Sequence, residues 1–167
     1  MSTFRFGSHL PVLMEAVRRS KGPILELGSG LYSTVYLHWA CFNDKRKLTT
    51  IESKWEYYKD VKNLRCDWHE VKHVKKWELA EPDYKKEWSV VLVDQGPGFN
   101  RGPSAQQLTH ADYVVLHDSD EESDSYGYEK IYPLFKYRFD YHPEENCTPG
   151  TTVLSNKHDL TDFLVRP

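Results

Sequence analysis

The segment Ile24-Leu25-Glu26-Leu27-Gly28-Ser29-Gly30-Leu31-Tyr32-Ser33-Thr34 constrains the fold of this chain more than any other. It reads as a short buried strand, a Gly-x-Gly turn and the start of a helix. Glycines at 28 and 30 let the backbone turn tightly and approach a ligand closely, and the helix beyond offers free N–H groups. Such a turn grips a nucleotide-like cofactor, with Glu26, Gly28, Gly30 and Ser33 as candidate contacts. A second strand ends Thr49-Thr50-Ile51-Glu52, and an acid at that place accepts hydrogen bonds from the ribose hydroxyls of an adenosine cofactor.

Apolar strand-like runs recur at Ile24–Leu27, Leu48–Glu52, Trp68–Val74, Trp88–Asp94 and Asp112–His117, with helix-compatible stretches before or between most of them. Alternating strand and helix implies a parallel sheet covered by helices on both faces. Ser8–Ser20 places Leu10, Leu13, Met14 and Val17 at helical spacing with Ser8 as N-cap, and predicts a helix lying on the sheet. Tyr126–Tyr137 reads as a further helix bent at Pro133, and Arg138–His142 and Thr151–Ser155 read as an antiparallel closing pair.

Composition removes several classes of function. The 167 residues fit one domain, 1–167. Lys and Arg total 22 against 25 for Asp and Glu, a net charge of −3, so no basic excess points to nucleic acid or an anionic membrane. Apolar runs fall far below the ~20 residues a membrane helix needs. The three cysteines, Cys41, Cys66 and Cys147, form no C-x-x-C pair, and with no secretory pattern at the N-terminus they read as reduced thiols in a cytoplasmic protein.

Glu26-Leu27-Gly28-Ser29-Gly30-x-x-Ser33, then Glu52, Val91-Leu92-Val93-Asp94 and Val115-Leu116-His117-Asp118, resemble class I S-adenosylmethionine-dependent methyltransferases in order and spacing. The resemblance implies an α/β fold: a Rossmann-like three-layer sandwich around a mostly parallel seven-stranded sheet with an antiparallel C-terminal hairpin. It implies that Gly28 and Gly30 pack against the methionine part of S-adenosylmethionine, that Glu26 reaches its amino group and that Glu52 holds the ribose. Asp94 joins the cofactor contacts, and residues 1–21 form a helical segment closing over the cofactor, with Phe6 and His9 at the pocket. After the third strand the chain reads Lys75-Lys76-Trp77, with no acidic adenine contact.

Ligands of an open α/β sheet lie outside the carboxyl ends of its strands, so Asp94, Gln95, His117 and Asp118 should face one crevice. Methyl transfer rests on positioning, and a base helps when the acceptor is a hydroxyl. Asp94, His117 and Asp118 are therefore the catalytic candidates, with His117 suited to accept a proton. Asp94 and Asp118 also resemble the Mg²⁺-holding acids of the catechol-type branch, but Ser119 stands where that branch has Asn, so no metal is expected. Arg101 is placed to clamp an anionic acceptor, and the acidic run Asp118–Asp124 to act as a lid. Val93-Asp94-Gln95-Gly96-Pro97 is similar to small sugar O-methyltransferases, which implies a small-molecule or glycan hydroxyl as acceptor, held by strand-end loops, the N-terminal segment or a second subunit of a homo-oligomer. Two other classes stay open. Ser33 at the third glycine position, with the Tyr58/Lys62 and Tyr132/Lys136 spacings, leaves an NAD(P)-binding oxidoreductase, and the turn alone would also suit a non-catalytic S-adenosylmethionine-binding module.

Overall fold

The computed structural model describes residues 7–120, 125–143 and 149–164. Its centre is a seven-stranded sheet: β1 (Ile24–Leu27), β2 (Leu48–Glu52), β3 (His69–His73), β4 (Val90–Val93), β5 (Tyr113–His117), β6 (Tyr137–Tyr141) and β7 (Thr151–Ser155) in the spatial order β3-β2-β1-β4-β5-β7-β6. β1 pairs in parallel with both β2 and β4, β4 pairs in parallel with β5, and β7 runs antiparallel to β5 and β6. The expected mostly parallel sheet with an antiparallel C-terminal pair is what the chain builds.

Burial explains why these runs become strands. β1, β2, β4 and β5 are buried at every position, as strands covered on both faces must be. β6 instead alternates, with Arg138 and Asp140 exposed between half-buried aromatic residues, as suits a sheet edge. One face carries Ile24, Val90, Leu92 and Val115 against α1 (Leu10–Arg19) and α2 (Ser33–Phe42). The other carries Leu25, Val91, Val93 and Leu116 against Trp77, Tyr84, Leu108 and Tyr128, contributed by α4 (Glu81–Tyr84), α5 (Arg101–Gln106) and neighbouring turns. α3 (Trp55–Val61) follows β2. No helix among the described residues is long and apolar enough to cross a membrane.

Two helices differ from expectation. α1 begins at Leu10, and its N-cap is His9 with no side-chain cap; the Ser8 hydroxyl instead lies 3.1 Å from His117 Nε2. Its buried face is Val12, Leu13 and Ala16, so Met14, expected inside, is half exposed. The helix read over Tyr126–Tyr137 is absent. Two 3₁₀ turns, Tyr128–Lys130 and Tyr132–Leu134, take its place. Gly127 has φ +73, a left-handed setting that breaks helical continuity, and Pro133 removes a donor inside the run.

Strand order reverses at β1, so the switch point lies between β1 and β4, where open α/β sheets bind ligands. Gly28 ends β1 there with φ +88, and a Cβ on it would stand 2.5 Å from the Asp94 carbonyl oxygen. A Cβ on Gly30 would meet only Ser33 Oγ, at 3.7 Å. Gly28→Ala should therefore cost at least about 1–3 kcal/mol from the backbone conformation alone, with overlap adding to it. Gly30→Ala should cost less than about 1 kcal/mol. Urea denaturation of the two variants checks this contrast, and equal losses would contradict it.

Candidate active site at the sheet switch point

β4 delivers Asp94 and β5 delivers His117 and Asp118 to one place, and Arg101 at the start of α5 binds them together. Its Nη2 donates to Asp94 Oδ1 and its Nη1 to Asp118 Oδ2, each at 2.8 Å. Nε donates to the Gln95 carbonyl at 2.9 Å and Nη1 also to the His117 carbonyl at 3.0 Å. The Tyr126 ring covers the guanidinium at 4.5 Å. Burial opposes the charge on Arg101, but Asp94, Tyr128 and Asp118 raise its affinity for the proton further. The side chain expected to clamp an acceptor from a loop is thus buried and engaged internally. Asp118 sits at φ +53, a left-handed setting.

His117 Nδ1 lies 3.1 Å from Asp94 Oδ1 and 3.7 Å from Asp118 Oδ1. Burial by itself would lower its pKa, but Asp94 and then Asp118 more than reverse this, so His117 is pushed up and favours imidazolium. Asp94 is held below the usual carboxylate range: burial would raise it, and His117 and Arg101 outweigh that. His9 packs edge-on against His117, ring centres 4.5 Å apart. Burial, then repulsion from His117, lowers His9 to about 4, so it is neutral. It is 1% exposed, and neither ring nitrogen has a hydrogen-bond partner among the described residues. Asp94 and Asp118 keep 27% and 30% of their side-chain surface, so solvent reaches the two acids and hardly touches the histidines.

On the other side of the switch point, Glu52 clasps the glycine turn. Oε2 accepts from Ser29 N at 2.8 Å and Ser29 Oγ at 3.1 Å, and Oε1 from the backbone N–H groups of Ser53 and Lys54, each at 2.7 Å. Gly30 N donates to Thr34 Oγ1 at 2.9 Å, and Ser33 is buried at the start of α2. Glu26 is fully buried. Burial raises it to about 7, while the nearby hydroxyls of Ser33, Thr50 and Thr34 draw it partly back. Thr50 Oγ1 donates to Glu26 Oε2 at 2.7 Å, and Oε1 lacks a partner among the described residues. Thr50 Oγ1 also lies 2.9 Å from His69 Nε2, whose ring reaches His38 Nδ1 through its own Nδ1 at 3.0 Å.

The structure therefore brings Asp94, His117, Asp118 and His9 into one cluster and Glu26, Gly28, Gly30, Ser33 and Glu52 into another beside it. Sequence reasoning missed Ser8, the bridging part of Arg101, and His38 and His69. The only signal for Arg101 was its place at a helix start just beyond a strand-end acid. Phe6 and the part of the acidic run beyond Asp120 lie outside the described residues.

No protein-family model matches the sequence, and no curated protein matches it. Solved structures do resemble it. The O-methyltransferase TomG from Streptomyces achromogenes, involved in tomaymycin synthesis and in complex with SAM, shares 17% identity at a TM-score of 0.63, covering 89% of this chain and 79% of its own. The O-methyltransferase from Bacillus cereus in complex with SAH shares 14% at 0.61, covering 93% and 82%. Spermidine synthase from Thermotoga maritima shares 14% at 0.67, covering 96% of this chain, which spans 62% of that enzyme. The fold is that of the class I methyltransferases. Within that fold the glycine turn and the Arg101 cluster flank the same switch point.

Glu26 makes stability depend on pH. An acid whose value in the fold lies above its unfolded value keeps its proton longer in the fold, so its contribution worsens as pH rises from about 4.5 to about 7. Buried His69, lowered to about 4 by burial and then His38, acts in the opposite sense on the acid side. Comparison at equal pH isolates Glu26. Glu26→Gln should gain about 3 kcal/mol relative to wild type between pH 4 and pH 8, read from urea midpoints. A difference that stays flat with pH would show that Glu26 titrates normally.

Proposed function

We propose that the protein is an S-adenosylmethionine-dependent methyltransferase acting on a hydroxyl of a small-molecule or sugar acceptor. The observation that carries this reading is the switch point itself: a glycine whose missing Cβ lets β1 approach β4, flanked by Glu52 on one side and the Asp94–His117–Asp118 cluster on the other. The similar structures support the cofactor, since TomG is in complex with SAM and the Bacillus cereus enzyme with SAH.

The residues present suit that cofactor. Gly28 leaves backbone room, Glu52 can exchange its bond from the Ser29 hydroxyl for one from a ribose hydroxyl, and the orphaned Glu26 Oε1 suits an ammonium group beneath the turn. When bound, S-adenosylmethionine supplies a methyl group on a sulfonium that an oxygen nucleophile can displace. The chain's own residues position that nucleophile. Asp94 and Asp118 keep solvent-facing surface and are fixed from behind by Arg101, so an acceptor hydroxyl can donate to them without moving the protein. His117, favouring its charged form against Asp94, holds that carboxylate in place rather than serving as a free base.

Calorimetry with S-adenosylmethionine and S-adenosylhomocysteine tests the cofactor. Binding should weaken by on the order of 1–3 kcal/mol in Glu52→Ala, the cost of leaving buried polar groups unpaired. Binding of a nicotinamide dinucleotide in its place would overturn the reading. Turnover with methyl-labelled S-adenosylmethionine and hydroxylated acceptors, sugars included, tests the activity. Asp94→Asn should lower it by roughly 10²–10⁴-fold, at saturating cofactor, so that a lost cofactor contact does not account for the drop. Cofactor binding without transfer to any oxygen acceptor would leave a binding module.

A further inference from the structure

We propose that His9, Asp94 and His117 form a site for a divalent first-row transition ion such as zinc. One ligating atom from each, two imidazole nitrogens and a carboxylate oxygen, lie within 4.8 Å of one another. The second, independent observation is His9. An imidazole that is 1% exposed is expected to satisfy its polar atoms, yet both of its nitrogens lack a partner among the described residues, and it packs edge-on against His117. His117 Nδ1 is likewise without a well-aligned hydrogen bond, although Asp94 Oδ1 is 3.1 Å away. A cation bound by all three would satisfy His117 Nδ1 and one nitrogen of His9 together.

The donor set decides the kind of ion. Two imidazoles with one carboxylate suit zinc, iron, cobalt or nickel, whereas magnesium and calcium require mostly oxygen ligands. The Arg101 guanidinium already lies between Asp94 and Asp118, in contact with both at 2.8 Å, so the two strand-end acids do not converge on a hard cation. Asp118 belongs to the support and not to the ligands. The surroundings also orient the ligands. Ser8 Oγ at His117 Nε2 leaves Nδ1 as the ligating nitrogen once an ion takes the place of its proton, and Arg101 fixes Asp94. The His9 backbone is set by the first turn of α1, where its carbonyl accepts from Leu13 N at 3.0 Å. Three protein ligands leave coordination positions for water or for an acceptor oxygen. Resting on the methyltransferase reading, such an ion would bind the acceptor hydroxyl directly and ease transfer of its proton to the solvent-facing Asp118.

Equilibrium dialysis of the metal-stripped full chain against zinc chloride, with elemental analysis, tests the site without any turnover. Cobalt chloride provides a visible absorption band that reports nitrogen and oxygen ligation. One equivalent should bind, at least about tenfold more weakly in His9→Gln and in His117→Gln, unchanged in His110→Ala, and not displaced by millimolar magnesium. Circular dichroism and S-adenosylhomocysteine binding show whether each variant is folded, and cobalt titration of wild type stands as the test should a variant unfold. No stoichiometric binding to wild type, or binding unaffected by His9→Gln, would overturn the metal site. Cofactor binding that persists in that event would leave the methyltransferase reading intact, and the reverse result would separate them the other way.

Discussion

Arg101 commits its donors to the interior of the cluster: two carboxylates, the carbonyls of Gln95 and His117, and the face of Tyr126. The arrangement at the carboxyl ends of β4 and β5 follows from this. Without it Asp94 and Asp118, strand-end acids on adjacent parallel strands, would repel each other across the site. With it their charges are offset, and the ends of β4 and β5 and the start of α5 are joined through one side chain. A buried guanidinium with this many partners is destabilising to lose, because Asp118 would lose its ion pair with it and Asp94 would keep only His117.

The same cluster drives two neighbouring histidines apart. His117 faces Asp94 and Asp118 and is pushed toward its charged form, while His9, a ring's thickness farther on, meets burial and the charge of His117 and is pushed to about 4. A charged imidazole beside a neutral one divides the labour. Until an ion binds, one holds the carboxylate, and the other keeps its single lone pair open for a ligand.

Much of the fold was legible in the sequence because its central strands, buried on both faces, are short segments rich in apolar and β-branched residues. Ile24–Leu27, Leu48–Glu52 and Thr151–Ser155 coincide with β1, β2 and β7 to the residue. The acids at 52, 94 and 118 were visible because strand ends in this fold converge. What stayed hidden depends on pairing across the chain. Arg101 looks like any loop arginine until the register of β4 with β5 sets two carboxylates beside it. His69 meets Thr50 only through the alignment of β3 on β2, which no local pattern encodes. The helix expected over Tyr126–Tyr137 failed for a local reason, since Gly127 and Pro133 each interrupt it.

The buried series Glu26, Thr50, His69 and His38 sets the direction of its own protons. Thr50 has a single hydroxyl hydrogen and gives it to Glu26, so toward His69 it can only accept. His69, neutral in the interior, must then carry its proton on Nε2 and present a bare Nδ1, and His38 must fill that lone pair from its own Nδ1. One carboxylate beneath the glycine turn thereby fixes the tautomers of two imidazoles on the far side of β2. A change that made Glu26 donate to Thr50 would reverse the hydrogen-bond polarity of the whole series, and the rings of His69 and His38 would register an event at the switch point that they do not touch.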